Sequence, residues 1–450
     1  MSGPQLRLPH PLILLLGCLL AAAMLSHVLP AGRYERRDDP VTGRSIVVPG
    51  TYHEVPPQPV GVFQALVAVP KGLVDAASVV FLVFLVGGAF AVVEQTGALA
   101  DAVGWLARRL ANRETLVIPI TTLAFALGGI TENMQEEIIA FVPILLVLTR
   151  RLGFDPLTAA AVSLGGAAVG SAFSPINPFQ VIIGQKLAQL PVYSGWAFRT
   201  VFLALALGIW IWGTVRYTRR NRIERDTVAP DHAAAATGAR PAIVLGLVLV
   251  AFTLLVVGTL KLGWGFDELS AVFFTMGLLA GLVAGLGLSG TAEAFINGFR
   301  SMAGAAMFVG FARSIYVALD EGQILDTIVH GIFTPLAHVP LTASAIGMAL
   351  AHTVIHVPVP SVSGQAVLTI PILVPVSDLL GLSRQVTVLA LQYGAGLCEI
   401  ITPTNGAMMA ILAAAGVPFG KWLRFVLPLW AGLLGLGVVA IVIGIATGLR

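Results

Sequence analysis

Charged residues are scarce in this sequence, and their scarcity excludes an ordinary soluble domain. They make up 11% of the 450 residues, whereas soluble domains carry about 25%. Hydrophobic residues make up 57% and form long apolar runs, so most of the chain is predicted to lie in a lipid bilayer. The net charge is only +3, and the arginines lie in loops beside apolar runs. This pattern argues against nucleic acid as a partner.

Cysteine is almost absent as well. The two cysteines, Cys18 and Cys398, both lie inside apolar runs. They predict neither a disulfide framework nor a metal site, and no cofactor is expected. The first apolar run, Pro11–Leu29, is not followed by a small-residue cleavage signature. We interpret it as a retained span that follows a cytoplasmic N-terminus, not as a signal peptide.

Several apolar runs have about the 20 residues that a bilayer-spanning helix needs, and they predict an all-α integral membrane protein. The runs are Pro11–Leu29, Val74–Val93, Leu157–Leu190, Gly195–Tyr217, Pro241–Leu260, Leu269–Leu288, Met302–Leu319, Gln385–Ala415 and Phe425–Gly448. Other segments are predicted as amphipathic helices along the membrane surface. These are Ala98–Leu110 and Ala292–Met302 on the cytoplasmic face, and Leu325–Leu336 on the outer face.

Two further segments each consist of two short apolar arms around a polar tip. They span residues 115–148 and 341–380. Arginines on both sides of the first segment place its ends in the cytoplasm, which leaves two ordinary spans or one re-entrant hairpin. The polar tip favours a re-entrant hairpin, because a charged tip inside the membrane can be buried in protein or face a water-filled cavity. The second segment is predicted to enter from the outside.

The two halves of the chain resemble each other at an offset of 228 residues. Shared helix breakers carry the match: Pro143 with Pro371, Gly153 with Gly381, Gly166 with Gly394, and Pro175-x-Asn177 with Pro403-x-Asn405. An odd number of crossings separates equivalent segments, so the repeats are predicted to be inverted. Paired breaks in inverted halves point to the binding site of a transporter. The alternative is a duplication without a transport role.

This repeat predicts the domain organisation. Residues 1–60 form a first span and an external loop, and residues 61–217 form repeat 1. Residues 218–240 form a cytoplasmic linker, and residues 241–450 form repeat 2. Repeat 1 contains the hairpin 115–148 and a broken helix at 157–190. Repeat 2 contains the hairpin 341–380 and a broken helix at 385–415.

The helix breaks are suited to ion and carboxylate binding. Proline removes a backbone donor and frees carbonyl groups of the preceding turn, which need partners inside a membrane. Nearby hydroxyl and amide oxygens can join these carbonyls around Na+, and the start of the next half-helix suits a carboxylate. The candidate residues are Ser174, Asn177, Thr402, Thr404 and Asn405. The alternative is a simple proline kink that Ser and Thr side chains stabilise.

The two hairpin tips differ in charge. The first contains Glu132, Glu136 and Glu137, which could bind a proton, a cation or a substrate ammonium group. The alternative is that one or more of them reaches the water surface. The second tip is neutral, and its candidate substrate contacts are Ser361, Ser363 and Gln365. Unequal tips are what a polar, asymmetric substrate would require.

Three other side chains are candidates. Arg313 lies inside an apolar run, where it could bind a substrate carboxylate, pair with a tip glutamate or form a structural ion pair. His356 lies beside the second tip and could sense protons or bind substrate. His352, one turn earlier, is predicted to pack between helices. The series Gly277, Gly281 and Gly285 predicts close helix packing.

Several motifs resemble those of the YfcC-like carriers. They include Leu8-Pro9-His10-Pro11, Met134-Gln135-Glu136-Glu137, Pro360-Ser361-Val362-Ser363-Gly364-Gln365-Ala366 and Ile401-Thr402-Pro403-Thr404. That group is similar to the anaerobic C4-dicarboxylate carriers and to arginine/ornithine antiporter-like proteins of the ion transporter superfamily. The resemblance implies a scaffold domain and a mobile, elevator-type transport domain with two re-entrant hairpins, commonly in a homodimer. By motif match, sodium and substrate roles fall on Thr131 to Asn133, Ser174 to Asn177, Ser361 to Ser363, and Thr402 to Asn405.

Together these features predict a cation-coupled (Na+ or H+) secondary transporter in the bacterial inner membrane. The substrate is expected to be a small carboxylate-containing metabolite such as a C4-dicarboxylate or an amino acid; the alternative is an arginine/ornithine-type antiporter. Candidate substrate contacts are Glu136, Glu137, Asn177, Ser361, Ser363, Gln365, Asn405, His356 and Arg313. The paired hairpins argue against a permease subunit of an ATP-driven importer and against a passive channel. A membrane enzyme is not expected, because no nucleophile–base or metal constellation is found.

Overall fold

The computed structural model describes residues 10–40, 44–98, 114–224, 239–262 and 264–449, and these residues form a helical bundle. Within these ranges, seven helices are long and apolar enough to cross a membrane. Two of them, Glu114–Thr131 and Val362–Leu380, are arms of the predicted hairpins. Helix length therefore does not separate a re-entrant arm from a full span, and the re-entrant hairpins stay a prediction.

In the first half of the chain most helices lie where the hydrophobic runs predict them, but the helix Val62–Asp75 was not predicted. The helices are α1 (Pro11–Val28), α2 (Val62–Asp75), α3 (Ala77–Gln95), α4 (Val117–Glu132), α5 (Ile138–Arg151), α6 (Pro156–Ala172), α7 (Ile183–Leu187) and α8 (Trp196–Arg220). A π-helical segment, Ala161–Gly165, lies inside α6, and another, Pro178–Ile182, leads into α7. The arms of the first hairpin are α4 and α5, and the first broken helix is α6 with α7.

In the second half, two hairpin arms are again followed by a broken helix and a long helix. Its helices are α9 (Ala239–Val257), α10 (Phe266–Ala284), α11 (Gly287–Glu321), α12 (Leu325–Phe333), α13 (Leu341–Ile355), α14 (Val362–Leu380), α15 (Arg384–Cys398), α16 (Gly406–Ala414) and α17 (Phe419–Ala446). A π-helical turn, Gly258–Leu262, extends α9, and a 3-10 turn, Thr334–His338, extends α12. The arms of the second hairpin are α13 and α14, and the second broken helix is α15 with α16.

One predicted surface helix is wrong. Ala292–Met302 is not a separate element, because it belongs to α11, which continues for 35 residues. This segment packs directly against α3 and does not lie on the membrane surface. The contact is so close that a Cβ atom on Gly298 would lie 2.5 Å from the carbonyl oxygen of Gly87 in α3. The other predicted cytoplasmic helix, Ala98–Leu110, lies almost entirely outside the described residues.

A first group of helices packs around aromatic rings. Helix α3 lies against α10 and α11, and α9 adds Phe252 to a cluster with Phe90 and Phe273. Phe141 of α5 reaches the same cluster, with its ring centroid 4.3 Å from that of Phe252. The predicted glycine packing is present here, since a Cβ atom on Gly277 would lie 2.8 Å from the Cα atom of Ala89.

A second group surrounds the two broken helices. Every residue of α15 from Gln385 to Cys398 is buried. The first arm of each hairpin crosses a broken helix at a glycine. A Cβ atom on Gly166 would lie 2.9 Å from the carbonyl oxygen of Thr122, and one on Gly394 would lie 2.2 Å from that of Ala349. These two glycines are the pair that the sequence repeat matches, so both runs of helices share this close crossing.

The loop after α1 contains short strands that the sequence patterns did not predict. Strand β1 (Gly32–Arg33) pairs with β4 (His53–Glu54), and β2 (Arg36–Asp39) pairs with β3 (Arg44–Val47). Asp326 at the start of α12 holds this loop, because its carboxylate accepts the Tyr34 N–H at 3.0 Å and pairs with Arg36 at 2.8 Å. Burial and the Asp326 charge raise the pKa of Tyr34 to about 12, so its hydroxyl stays neutral beside His330.

Candidate functional site

Each break ends at an asparagine that caps the following helical segment. The Asn177 side-chain oxygen accepts the N–H groups of Phe179 and Gln180, both at 2.9 Å. The Asn405 side-chain oxygen accepts the N–H of Met408 at 3.0 Å. The side-chain nitrogens of both asparagines donate to the first hairpin: Asn177 to the Gly129 carbonyl at 2.7 Å, and Asn405 to Gln135 at 3.1 Å.

The polar groups of the first break bond mainly to one another and to the first hairpin. Ser174 and Asn177 are fully buried. The Ser174 hydroxyl donates to the Ile130 carbonyl at 2.8 Å and accepts the Asn177 N–H at 2.8 Å. Asn133 of the first tip accepts hydrogen bonds from Ser171 and from Gln180, the latter at 2.6 Å. In this conformation, most polar atoms at the first break are occupied by protein groups.

The residues predicted to bind sodium divide between the two breaks. Thr131, Asn133, Ser174 and Asn177 lie at the first, and Thr402, Thr404 and Asn405 lie at the second. The Thr131 hydroxyl donates to the Leu127 carbonyl of its own helix at 2.9 Å, and the Thr404 hydroxyl donates to the Val357 carbonyl at 2.6 Å. Their role as sodium ligands stays a prediction.

The second break opens onto a polar cavity of about 480 Å³. The first tip, the second tip and the second break all contribute to its wall, opposite α11 and the junction of α2 with α3. Strands β2 and β3 contribute Arg36 and Ser45. Polar lining residues are Arg36, Ser45, Asp75, Gln135, Glu136, Arg313, Tyr316, Ser361, Thr404 and Asn405. We call this space the central cavity.

Two helix N-termini face the central cavity. Helix α16 begins at Gly406, and α14 begins at Val362 after its N-cap Ser361, whose hydroxyl accepts the Gly364 N–H at 3.2 Å. The residues at both starts line the cavity. A helix start carries unpaired N–H groups and a partial positive charge, so the two starts together favour an anionic group.

The charged side chains around the cavity are mostly paired. Arg313 forms an ion pair with Asp75, not with a tip glutamate, and its guanidinium lies 4.6 Å from the Tyr316 ring centroid. Arg36 is paired with Asp326. Glu136 is half-buried and lines the cavity. Among the residues that the structure describes, no cationic side chain pairs with it.

The other tip carboxylates lie differently. Glu137 is half-buried, and its carboxylate accepts the Gln135 N–H at 3.2 Å. It does not line the central cavity. Glu132 ends α4, and its side chain lies outside the described part of the structure. Of the predicted proton-binding candidates, Glu136 is therefore the carboxylate that the structure places on the cavity wall.

Gln365 and His356 lie behind the second tip and do not line the cavity. Both are fully buried, as is His352. Gln365 donates to the Val359 carbonyl at 3.0 Å and also contacts His352 and His356, at 3.2 and 2.9 Å. These contacts connect both arms of the hairpin and hold the chain entering the tip. His352 packs as predicted, with its ring centroid 5.1 Å from that of Phe333.

Sequence patterns gave no role to Glu399, which lies beside the second break and is only 3% exposed. The Gln180 side-chain amide donates to its carboxylate at 3.4 Å. The Gln135 and Asn133 side chains of the first tip and the Glu136 carboxylate lie nearby. One signal could have found it, since a carboxylate in a membrane segment suggests function by default.

Comparison with known proteins gives a family match over nearly the whole chain. The model of DcuC, described as the C4-dicarboxylate anaerobic carrier, matches residues 8–446. The protein named "Putative basic amino acid antiporter YfcC" from Escherichia coli strain K12 is 34% identical over 78% of this chain and 74% of its own length. An uncharacterized protein of Haemophilus influenzae is 28% identical over 90% of this chain and 83% of its own.

Solved structures show a more distant likeness. The Alcanivorax borkumensis YdaH transporter is 19% identical, with a TM-score of 0.45 over 98% of this chain and 99% of its own. Neisseria gonorrhoeae MtrF, from a class of antimetabolite efflux pumps, is 19% identical, with a TM-score of 0.42 over 98% and 96% of the two chains.

Proposed function

The chain belongs to the C4-dicarboxylate anaerobic carrier family, and from this premise we propose that it is a cation-coupled secondary transporter of a small carboxylate-containing metabolite. Its family consists of transporters and not enzymes, and its apolar helices make it a multi-pass membrane protein. The proposal adds the coupling ion, Na+ or H+, and the substrate class, of which a C4-dicarboxylate is the main candidate.

The central cavity is the observation that carries this proposal. Its volume of about 480 Å³ lies within the range of small-molecule sites. The starts of α14 and α16 converge on it and favour a carboxylate. Ser361 and Asn405 would contact the substrate directly. Asn177, Gln365, His356 and Glu137 do not line the cavity and would act by holding the breaks and tips in place. Ser363 is half-buried and does not line the cavity either, so its substrate contact stays a prediction.

We propose that transport uses inverted repeats and an elevator-type movement. The matched order of elements, the capping asparagines and the glycine crossings support two equivalent halves. In this scheme α2, α3 and α9 to α11 belong to the scaffold, and the hairpins with the broken helices form the moving body. The protein would act as a homodimer in the bacterial inner membrane, with a cytoplasmic N-terminus and both hairpins re-entrant.

Uptake by purified protein in liposomes tests the proposed function. Radiolabelled succinate and arginine represent the two candidate substrate classes, and each is offered with a Na+ gradient, a proton gradient or neither. We expect gradient-driven accumulation of succinate and exchange of internal for external succinate without a gradient. Empty liposomes are the control. Absence of both accumulation and exchange for both probes would overturn the proposal.

A basic amino acid antiporter is the second candidate, and Glu136 favours it. This carboxylate lines the cavity without an ion pair to any described cationic side chain, so it can receive a substrate ammonium or guanidinium. The relative YfcC bears the name of such an antiporter. The helix starts would then bind the α-carboxylate of the amino acid while Glu136 binds its positive group.

Substitution Glu136→Gln separates the two candidates. For a dicarboxylate carrier, we expect the KM of succinate exchange to stay within about twofold of wild type or to fall, because a negative charge leaves the cavity. For a basic amino acid antiporter, the KM of arginine exchange should rise about tenfold, equivalent to ~1.4 kcal/mol of binding. The matched control is Glu224→Gln, since Glu224 is exposed in the chain segment that follows α8. A higher KM for succinate would contradict the dicarboxylate assignment.

A further inference from the structure

Glu399 occupies a position where the two halves of the chain meet. It follows the last residue of α15 and is almost completely buried. The side chains around its carboxylate come from the other half: Gln180 from the first break, and Asn133 and Gln135 from the first tip. These partners lie more than 200 residues away in sequence, so the folded bundle creates this environment.

The groups near the Glu399 carboxylate include three side-chain amides. In the part of the chain that the structure describes, neither Lys, Arg nor His pairs with it. A buried carboxylate without a positive partner is costly to keep charged, and protonation removes that cost. A protonated Glu399 needs an acceptor for its O–H. Gln180 is fully buried, and its side-chain oxygen has no hydrogen-bond partner among the residues that the structure describes. The Gln180 side chain can therefore donate an N–H to charged Glu399, and its free oxygen can accept the O–H of protonated Glu399.

Glu136 connects Glu399 to water. Gln135, which lies against Glu399, and Glu136 both line the central cavity. Because the Glu136 and Glu399 carboxylates repel each other, a single proton on either one lowers the energy of the pair. Besides Glu136, the titratable side chains that line the cavity are Asp75, Arg313, Arg36 and Tyr316. Those within or beside the tips and breaks include Glu137, His352, His356, Tyr393 and Cys398. Of the cations in this set, both arginines are already paired with aspartates.

We infer that Glu399 carries the coupling proton and that Glu136 exchanges this proton with the central cavity. This inference rests on the proposed secondary transport and assigns the coupling ion as H+. A proton from the cavity water neutralises Glu136 and passes to Glu399, which holds it while the site is closed to both sides. The proton returns through Glu136 to the water of the opposite side, so one proton crosses and both carboxylates regain their charge.

Charge explains how proton and substrate would be coupled. A substrate carboxylate at the starts of α14 and α16 is repelled by a doubly charged Glu136–Glu399 pair and less by a singly charged one. Substrate binding and proton binding therefore strengthen each other, and this linkage is reciprocal. Symport of a dicarboxylate with a proton follows from it.

Three measurements on proteoliposomes test the inference, with labelled succinate and arginine as probes. The first is exchange of the transported probe at equal pH without sodium. The second is accumulation driven by a pH gradient. The third is the internal pH change that uptake causes, followed with an entrapped pH-sensitive dye. For Glu399→Gln we expect exchange within about threefold of wild type, accumulation reduced to the level of empty liposomes, and no pH change.

Two further variants complete the design. Glu399→Asp keeps the carboxyl group and should restore part of the pH-driven accumulation. Glu224→Gln, on the exposed surface, should keep both activities. The inference would be overturned if Glu399→Gln accumulated the probe as well as wild type does. It would also be overturned if Glu399→Gln melted like wild type but no longer exchanged the probe.

The wild-type protein alone keeps the inference testable if Glu399→Gln does not fold. Accumulation that requires sodium and ignores the pH gradient would overturn the proton assignment while leaving the proposed function intact. Absence of any exchange by the wild-type protein would instead count against the proposed function itself. The two failures are therefore distinguishable.

Discussion

Substitution Asn405→Ala is expected to reduce uptake of the transported carboxylate by roughly 30-fold or more. The change removes the cap of α16, which contributes about 1 kcal/mol, and leaves the buried Gln135 amide without its donor, at a cost of about 1–3 kcal/mol. A loss of about 2 kcal/mol of substrate binding, from the missing Asn405 contact and the displaced start of α16, corresponds to about 30-fold in affinity. Initial uptake into proteoliposomes measures the effect.

Two variants show whether the cap or the contact with Gln135 matters for Asn405. Asn405→Asp keeps the cap, because Asp and Asn cap helices equally well, but it cannot donate to Gln135 and adds a negative charge beside the cavity. We expect it to melt like wild type and to transport poorly. Asn221→Ala removes an exposed asparagine that donates only to the Tyr217 carbonyl at 2.9 Å, and it should transport normally. Wild-type uptake by Asn405→Ala would remove this residue from the site.

Substitution Gly129→Ala is expected to destabilise the folded protein by about 3 kcal/mol or more, at the upper end of overpacking effects. A Cβ atom on Gly129 would lie 1.9 Å from the carbonyl oxygen of Ala167 in α6. That neighbour is backbone, so relief requires α4 and α6 to separate. The shift would also move the Gly129 carbonyl, which accepts the hydrogen bond from Asn177. Thermal unfolding of detergent-solubilised protein, followed by tryptophan fluorescence, measures the loss.

The matched control for Gly129→Ala is Gly208→Ala in α8. A Cβ atom on Gly208 would meet no atom within 4 Å. Alanine favours a helix over glycine by about 1 kcal/mol, so the control should be neutral or slightly stabilising. The two substitutions therefore have opposite expected signs, although both replace a helical glycine by alanine. If Gly129→Ala and Gly208→Ala melted at the same temperature, α4 and α6 could separate at a lower cost than their close packing indicates.

Features that depend on local sequence were predictable. The arms of the hairpins, predicted at 115–148 and 341–380, lie at 117–151 and 341–380, and both breaks end at the predicted asparagines. Proline and asparagine act within one helical turn of their own position, so their effects are visible in the sequence. The two glycines at matched crossings were found in the same way, as members of a repeat.

Features that depend on distant contacts were not predictable. The environment of Glu399 comes from Asn133, Gln135 and Gln180, which approach only when the two halves fold together. Arg313 was placed correctly inside a helix, but its pairing with Asp75 depends on how α2 meets α11. The single helix α11 was predicted as two elements because its polar first half resembled a surface helix, while its contact with α3 could not be seen in the sequence.

The contrast between a closed first break and an open second break has a consequence for protein engineering. Residues 171–180 satisfy most of one another's polar groups, so changes there act first on folding. Ser361 and Gly364 line the central cavity at the second tip, and neither is buried. Substitutions at these two positions should therefore yield folded variants with altered solute preference. Substitutions placed in the first break should mainly yield protein that fails to reach the membrane.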